Sequence, residues 1–188
     1  IVGPGVVQGH TSNVCSLVDL MPTMVEIGGG GSAMFGTPSD GRSLMSLARG
    51  EDDGISEAVG EYCAEMTGHP VFMIRRGDMK YIHCDSDPSQ LFDIAYDPWE
   101  LNNLVNHPAY ITIVEGFAKE VSLRWHSPTL RQKVIDSQKT RFAVNEAMRS
   151  GASEHWDYNP PSDAAHQYVR NHMDWIEVAE RYRFPPVS

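Results

Sequence analysis

The chain has 188 residues, enough for one substantial core, and a formal charge of −10 from 15 Lys plus Arg against 25 Asp plus Glu. That balance, with no basic cluster to interrupt it, repels polyanions such as nucleic acid and accommodates a cationic ligand. Apolar runs are short and broken by Asp or Glu, so none offers the roughly 20 residues that a bilayer requires, and Cys15, Cys63 and Cys84 contain no C-x-x-C pair, which argues against a zinc ribbon or disulfide framework and for a reducing, cytoplasmic setting.

Ile1-Val2-Gly3-Pro4-Gly5 reads as a strand running straight into a turn, an unusual way for a polypeptide to start, so the sequence is expected to be the C-terminal part of a longer protein. Asp19 is placed to cap a helix over Leu20 to Ile27, with Pro22 tolerated in the first turn, where its missing N–H has no partner to lose. Gly28 to Gly31 stop that helix. Gly28 to Ala33 also fits G-x-G-x-x-A, but it follows a helix where the dinucleotide fingerprint must follow a strand, and no G-x-x-x-x-G-K occurs, so nucleotide binding is unsupported. Residues 32 to 54 read as a loop rich in Gly, Ser and Asp, with a short helical turn near Leu44 to Ala48.

Ala58 to Met66, Val71 to Arg76 and Met79 to Cys84 read as three strands, with Gly77-Asp78 as a two-residue hairpin turn and Leu91 to Ile94 as a fourth, edge strand. Alternation sends Arg75 and Arg76 to opposite faces, so at most one of them serves any one site. His69-Pro70 reads as a turn between strands. Asp85-Ser86-Asp87 has a metal-like spacing, yet a calcium loop counted from Asp85 would put Gln90 where Gly is needed and Tyr96 where a bidentate Glu is needed, so these aspartates are expected to cap a turn. Tyr110 to Trp125 reads as a helix covering the sheet through Ile113, Phe117, Val121 and Leu123, and a further helix runs from Pro128 to about Met148 and ends at Ser150-Gly151. Trp156, Tyr158, Tyr168, Trp175, Tyr182 and Phe184 then crowd into the end of the chain, a composition that predicts a docked tail rather than a disordered one. Within it, Asn159-Pro160-Pro161 predicts an extended segment and Asn171 to Arg183 a short helix.

Three ordered motifs carry a resemblance. Ser16-Leu17-Val18-Asp19-Leu20-Met21-Pro22-Thr23, then Asp40-Gly41-Arg42-Ser43-Leu44, then the stretch from Leu91-Phe92-Asp93 through Asp97-Pro98-Trp99-Glu100 to Asn102-Asn103-Leu104 resemble the closing motifs of sulfatases in the alkaline phosphatase superfamily. Gly60-Glu61-Tyr62-Cys63-Ala64-Glu65-Met66, together with Trp156 to Pro161 and Asn171-His172-Met173-Asp174-Trp175, resembles the choline sulfatases among them.

The resemblance implies an α/β fold: the end of an alkaline-phosphatase-like mixed sheet domain over residues 1–54, a small antiparallel sheet with covering helices over 55–150, and an extended, aromatic-rich C-terminal tail over 151–188 for subunit contact. It also implies hydrolysis of choline-O-sulfate by a formylglycine hydrate beside a divalent metal, calcium or manganese, in a homo-oligomer that engages neither nucleic acid nor membrane. The formylglycine arises from Cys in C-x-P-S-R, a context that none of the three cysteines has, and the family's metal carboxylates sit upstream. No residue of this chain is therefore expected to be catalytic or a metal ligand, and the chain alone is expected to be inactive.

Choline's quaternary ammonium has no N–H to donate, so a protein holds it by carboxylate charge and aromatic faces. Glu61 reads as a mid-strand carboxylate among apolar neighbours and occupies the Glu of the family's Gly-Glu-Tyr motif, which makes it the first candidate contact; the competing reading pairs it with Arg75 or Arg76. Asp174, flanked by His172 and Trp175, is the second candidate, on the implication that the tail crosses to a neighbouring subunit and closes its site. Against that stand a solvated carboxylate, a Trp175 packed on its own subunit and a structural His172. The motifs shared over residues 1 to 104 leave another sulfatase or a phosphonate monoester hydrolase as one alternative; a non-catalytic assembly module, in which residues 154 to 188 serve only to join protomers, is the other.

Overall fold

The computed structural model of the chain describes residues 1–29, 39–51, 54–64 and 67–151. It is a mixed α/β arrangement: α1 (Leu20–Gly29), α2 (Met45–Ala48), four strands β1 (Glu57–Tyr62), β2 (Val71–Arg76), β3 (Met79–Cys84) and β4 (Asp87–Asp93), then α3 (Ile111–Arg124) and α4 (Ser127–Arg149). The strands make one antiparallel sheet in the order β1-β2-β3-β4, so β1 and β4 are its edges. No helix among the described residues is long and apolar enough to cross a membrane.

Contacts group the chain into two units, Ile1–Gly60 with Phe72–His83 and Ser89–Ala118, and Glu61–Val71 with Cys84–Pro88 and Lys119–Ser188. In the first, Phe72, Ile74, Tyr81, Leu91 and Phe92 are buried, and the ring of Phe117 stacks on Tyr81 at 5.5 Å. The Arg76 guanidinium lies over the same Phe117 ring. The Gly77 turn has φ 53°, which Gly adopts without steric cost, and Arg75 Nε donates to Gly77 O at 2.8 Å.

Two motif segments are tied together in this unit. Asp19 is buried; its carboxylate accepts from Ser16 N (2.8 Å) and from Arg42 N (3.0 Å). Thr23 Oγ1 donates to Asp19 O and accepts from Leu44 N at 2.9 Å. Arg42 reaches on to the carbonyls of Val14 and Ile55. Asp19 thus reaches back to Ser16 and across to Arg42, rather than only capping the helix that follows it.

The long motif folds a loop back on β4. Asn103 Oδ1 accepts from Leu91 N at 3.0 Å, Leu104 N donates to Leu91 O at 2.8 Å, and the buried Asp93 accepts from Ala95 N and Tyr96 N. Glu100 has φ 55°, strained for a side chain larger than Gly, and the Lys80 ammonium holds its carboxylate at 2.8 Å. Asp97 Oδ2 accepts from Asn102 N at 2.7 Å; this bond, then one from the Leu101 amide, holds its carboxyl below the ordinary value of 3.8. A depressed carboxyl contributes stability above its unfolded pKa and loses it as pH falls through the folded one. The Asn102 amide is therefore expected to lose hydrogen-exchange protection as pH drops below about 4, and Asp97→Asn should remove that pH dependence; protection unchanged by acid would contradict the assignment.

Several expectations need correction. Residues 1–5 form no strand: Val6 N donates to Gly3 O across a turn with Gly5 at φ 77°. β1 ends at Tyr62, before Cys63 and Ala64, and β4 begins at Asp87, four residues earlier than expected. On α3, Phe117 and Val121 are buried, whereas Ile113 and Leu123 are exposed, Leu123 to 76%. At 100° per residue Leu123 stands about 200° round the helix from Val121, on the wrong side for the core.

Candidate functional site

Glu61 is the second-last residue of edge strand β1 and is exposed, which corrects the expectation of a carboxylate enclosed by apolar neighbours. An edge strand at its frayed end has one side open, so alternation alone does not bury it. Trp125 follows the last turn of α3, where its amide still donates to Val121 O at 2.9 Å. That placement directs its half-buried indole so that Nε1 donates to Glu61 Oε1 at 2.5 Å. Glu61 Oε2 has no hydrogen-bond partner among the described residues. The neighbouring Cys63 thiol is pushed up, first by burial and then by the Glu61 charge, so it stays protonated near neutral pH and is not an activated nucleophile.

The competing partners of Glu61 are engaged elsewhere. Arg76 pairs with Glu57, and Arg75 Nε is bound to the turn carbonyl of Gly77. What the Glu61–Trp125 pair can do chemically is hold a cation: a carboxylate with one oxygen free, beside an indole whose electron-rich faces attract positive charge.

Thr67 Oγ1 donates to His69 O at 2.5 Å within the bend before β2, whereas Asp85 accepts from Ser127 Oγ at 2.5 Å at the start of α4, a contact 42 positions away rather than the turn cap expected of it. Among the described residues no group of three His, Cys, Asp or Glu side chains is placed to hold a metal ion. The described residues therefore do not fit a divalent metal. The adjacent pair Asp52-Asp53, and the candidates Asp174, His172 and Trp175, lie outside the described residues. Trp125 is the residue that sequence reasoning missed. Its signal was a lone Trp at a helix end, a side chain with both an apolar body and a polar handle.

The family model for the choline sulfatase C-terminal region matches residues 132–184. A choline-sulfatase of Rhizobium meliloti (strain 1021) is 34% identical over 98% of this chain and 36% of its own length. Human arylsulfatase K is 27% identical over 66% of this chain and 28% of its own. A solved 2-O GAG sulfatase superposes with a TM-score of 0.52 at 26% identity, over 73% of this chain and 30% of its own. The chain thus spans about a third of the length of the relatives it matches.

Proposed function

We propose, from the premise that this chain corresponds in sequence and fold to the C-terminal portion of a sulfatase, that it supplies choline recognition to an enzyme cleaving choline-O-sulfate into choline and sulfate. The observation that carries the reading is the Glu61–Trp125 pair: a carboxylate and an indole, the two groups that bind an ammonium lacking N–H donors, meet at the Gly-Glu-Tyr motif. Glu61 is the residue assigned to the choline head. Asp174, with His172 and Trp175, is assigned as a second, anionic contact contributed by the tail, residues 151–188, across a subunit boundary.

On this reading the formylglycine nucleophile and the ligands of a calcium or manganese ion lie outside these 188 residues, and the chain alone is inactive. The metal and formylglycine would supply sulfur activation and the attacking hydroxyl. This chain's residues hold and orient the cation. Residues 1–54 close the large α/β domain, residues 55–150 form the smaller subdomain, and three free thiols favour a cytoplasmic setting.

The test is turnover by the full-length protein. Choline-O-sulfate is expected to be hydrolysed well ahead of an aryl sulfate and a phosphonate ester; equal preference would support another sulfatase or a phosphonate monoester hydrolase. Deleting residues 152–188 is expected to lower choline selectivity together with oligomeric mass, as measured by competition kinetics and light scattering. Loss of the oligomer with selectivity intact would instead make the tail an assembly module.

A further inference from the structure

A cleft of about 400 Å³ opens within the first unit, lined by Ser12, Cys15, Met73, Arg75, Lys80 and Glu100 among others. The charges on its walls do not cancel. Lys80 Nζ lies 2.8 Å from both oxygens of Glu100, so those two neutralise one another. Arg75 is half-buried, its Nε is spent on Gly77 O, and neither of its Nη groups has a partner among the described residues. A partly desolvated guanidinium with two unused donor groups is costly unless an anion meets it. The Ser12 hydroxyl adds a donor to the same walls, the Cys15 thiol being turned to Asn13 O at 3.5 Å, while Met73 gives an apolar surface that excludes water and strengthens any charge pair there.

We propose that this cleft binds a small oxyanion, held by the Arg75 fork through two of the anion's oxygens. The planar guanidinium matches two coplanar oxygens, a geometry that carboxylates and sulfate both present and chloride does not. The chain's overall −10 charge does not oppose this, because fields beyond roughly 10 Å are screened at ordinary salt.

Cys15 lines the cleft and is exposed, so its alkylation reports on occupancy at this place alone, whatever else in the protein binds sulfate. The experiment follows iodoacetamide labelling of Cys15 in the full-length protein by peptide mass spectrometry, with sodium sulfate, sodium acetate or sodium chloride at matched ionic strength. Sulfate or acetate is expected to slow labelling several-fold relative to chloride, and the more effective of the two identifies the preferred class. Arg75→Gln should raise the concentration needed for protection by about tenfold or more, the loss expected for charged hydrogen bonds. Arg75→Lys, which keeps the charge and removes the fork, should fall between and guards against a folding defect in the Gln variant. Protection equal in chloride, protection unchanged in both variants, or a Cys15 that is unreactive in the full-length protein would each overturn the proposal, the last because another segment then fills the cleft. None of these readouts depends on hydrolysis of choline-O-sulfate.

Discussion

Glu61→Gln in the full-length protein is expected to raise KM for choline-O-sulfate by about ten- to a hundredfold while changing kcat far less, because in the proposed role the carboxylate acts on the bound cation and not on the sulfur. A quaternary ammonium and a carboxylate at about 5 Å attract by roughly 1 to 3 kcal/mol for effective dielectric constants between water and a protein surface. Glu61 is exposed, so the lower half of that range is the safer expectation at high salt. Gln keeps an acceptor for Trp125 Nε1, so the hydrogen bond that positions the side chain survives and the charge alone is removed. A neutral aryl sulfate serves as control, since its KM should not move. If KM for choline-O-sulfate is the same in wild type and variant, Glu61 does not touch the choline head.

Gly41→Ala is expected to destabilise the protein by about 3 kcal/mol or more. A Cβ there would stand 2.1 Å from Val18 O, 2.5 Å from Val18 C and 2.9 Å from Asp19 N, all of them backbone atoms. No rotamer change relieves such a clash, so the two segments must separate. Separation breaks the bonds from Arg42 N to Asp19 Oδ1 (3.0 Å) and from Leu44 N to Thr23 Oγ1 (2.9 Å), leaving the buried Asp19 without one of its donors. Gly116→Ala is the matched control. Nothing lies within 4 Å of its added Cβ, it sits inside α3, and the change should stabilise by about 0.5 to 1 kcal/mol. Chemical denaturation of the two variants should shift in opposite directions; a Gly41→Ala midpoint equal to wild type would mean that the close approach is not maintained in solution.

Those two positions show what was readable from the amino acids and what was not. The hairpin at Gly77-Asp78, the four strands and the extents of α3 and α4 follow from local periodicity and turn chemistry, and the sequence shows them to within a few residues. The opening five residues read as a strand because local apolar character carries no signal of whether they pair, and among the described residues they turn back on Gly3 O instead. Leu123 was assigned to the core on hydrophobicity, but its angular position on α3 points it to solvent. The motifs around Asp19, Gly41 and Asn103 were legible as patterns, yet nothing local tells that Asp19 binds the Arg42 amide or that Gly41 is pressed against Val18 O.

The candidate site divides in the same way. The sequence by itself determined that the chain carries motifs resembling those of sulfatases, that no cysteine stands in a formylglycine context, and that Glu61 lies in a Gly-Glu-Tyr strand, because each of these is a property of neighbours along the chain. Only the tertiary structure decided that Glu61 is exposed at an edge, that Trp125 donates to it from 64 positions away, and that Arg75 lines a cleft with no carboxylate partner among the described residues. Those facts depend on where a helix end and a strand end come to rest against one another, and such long-range packing leaves no periodic trace for a local reading to follow.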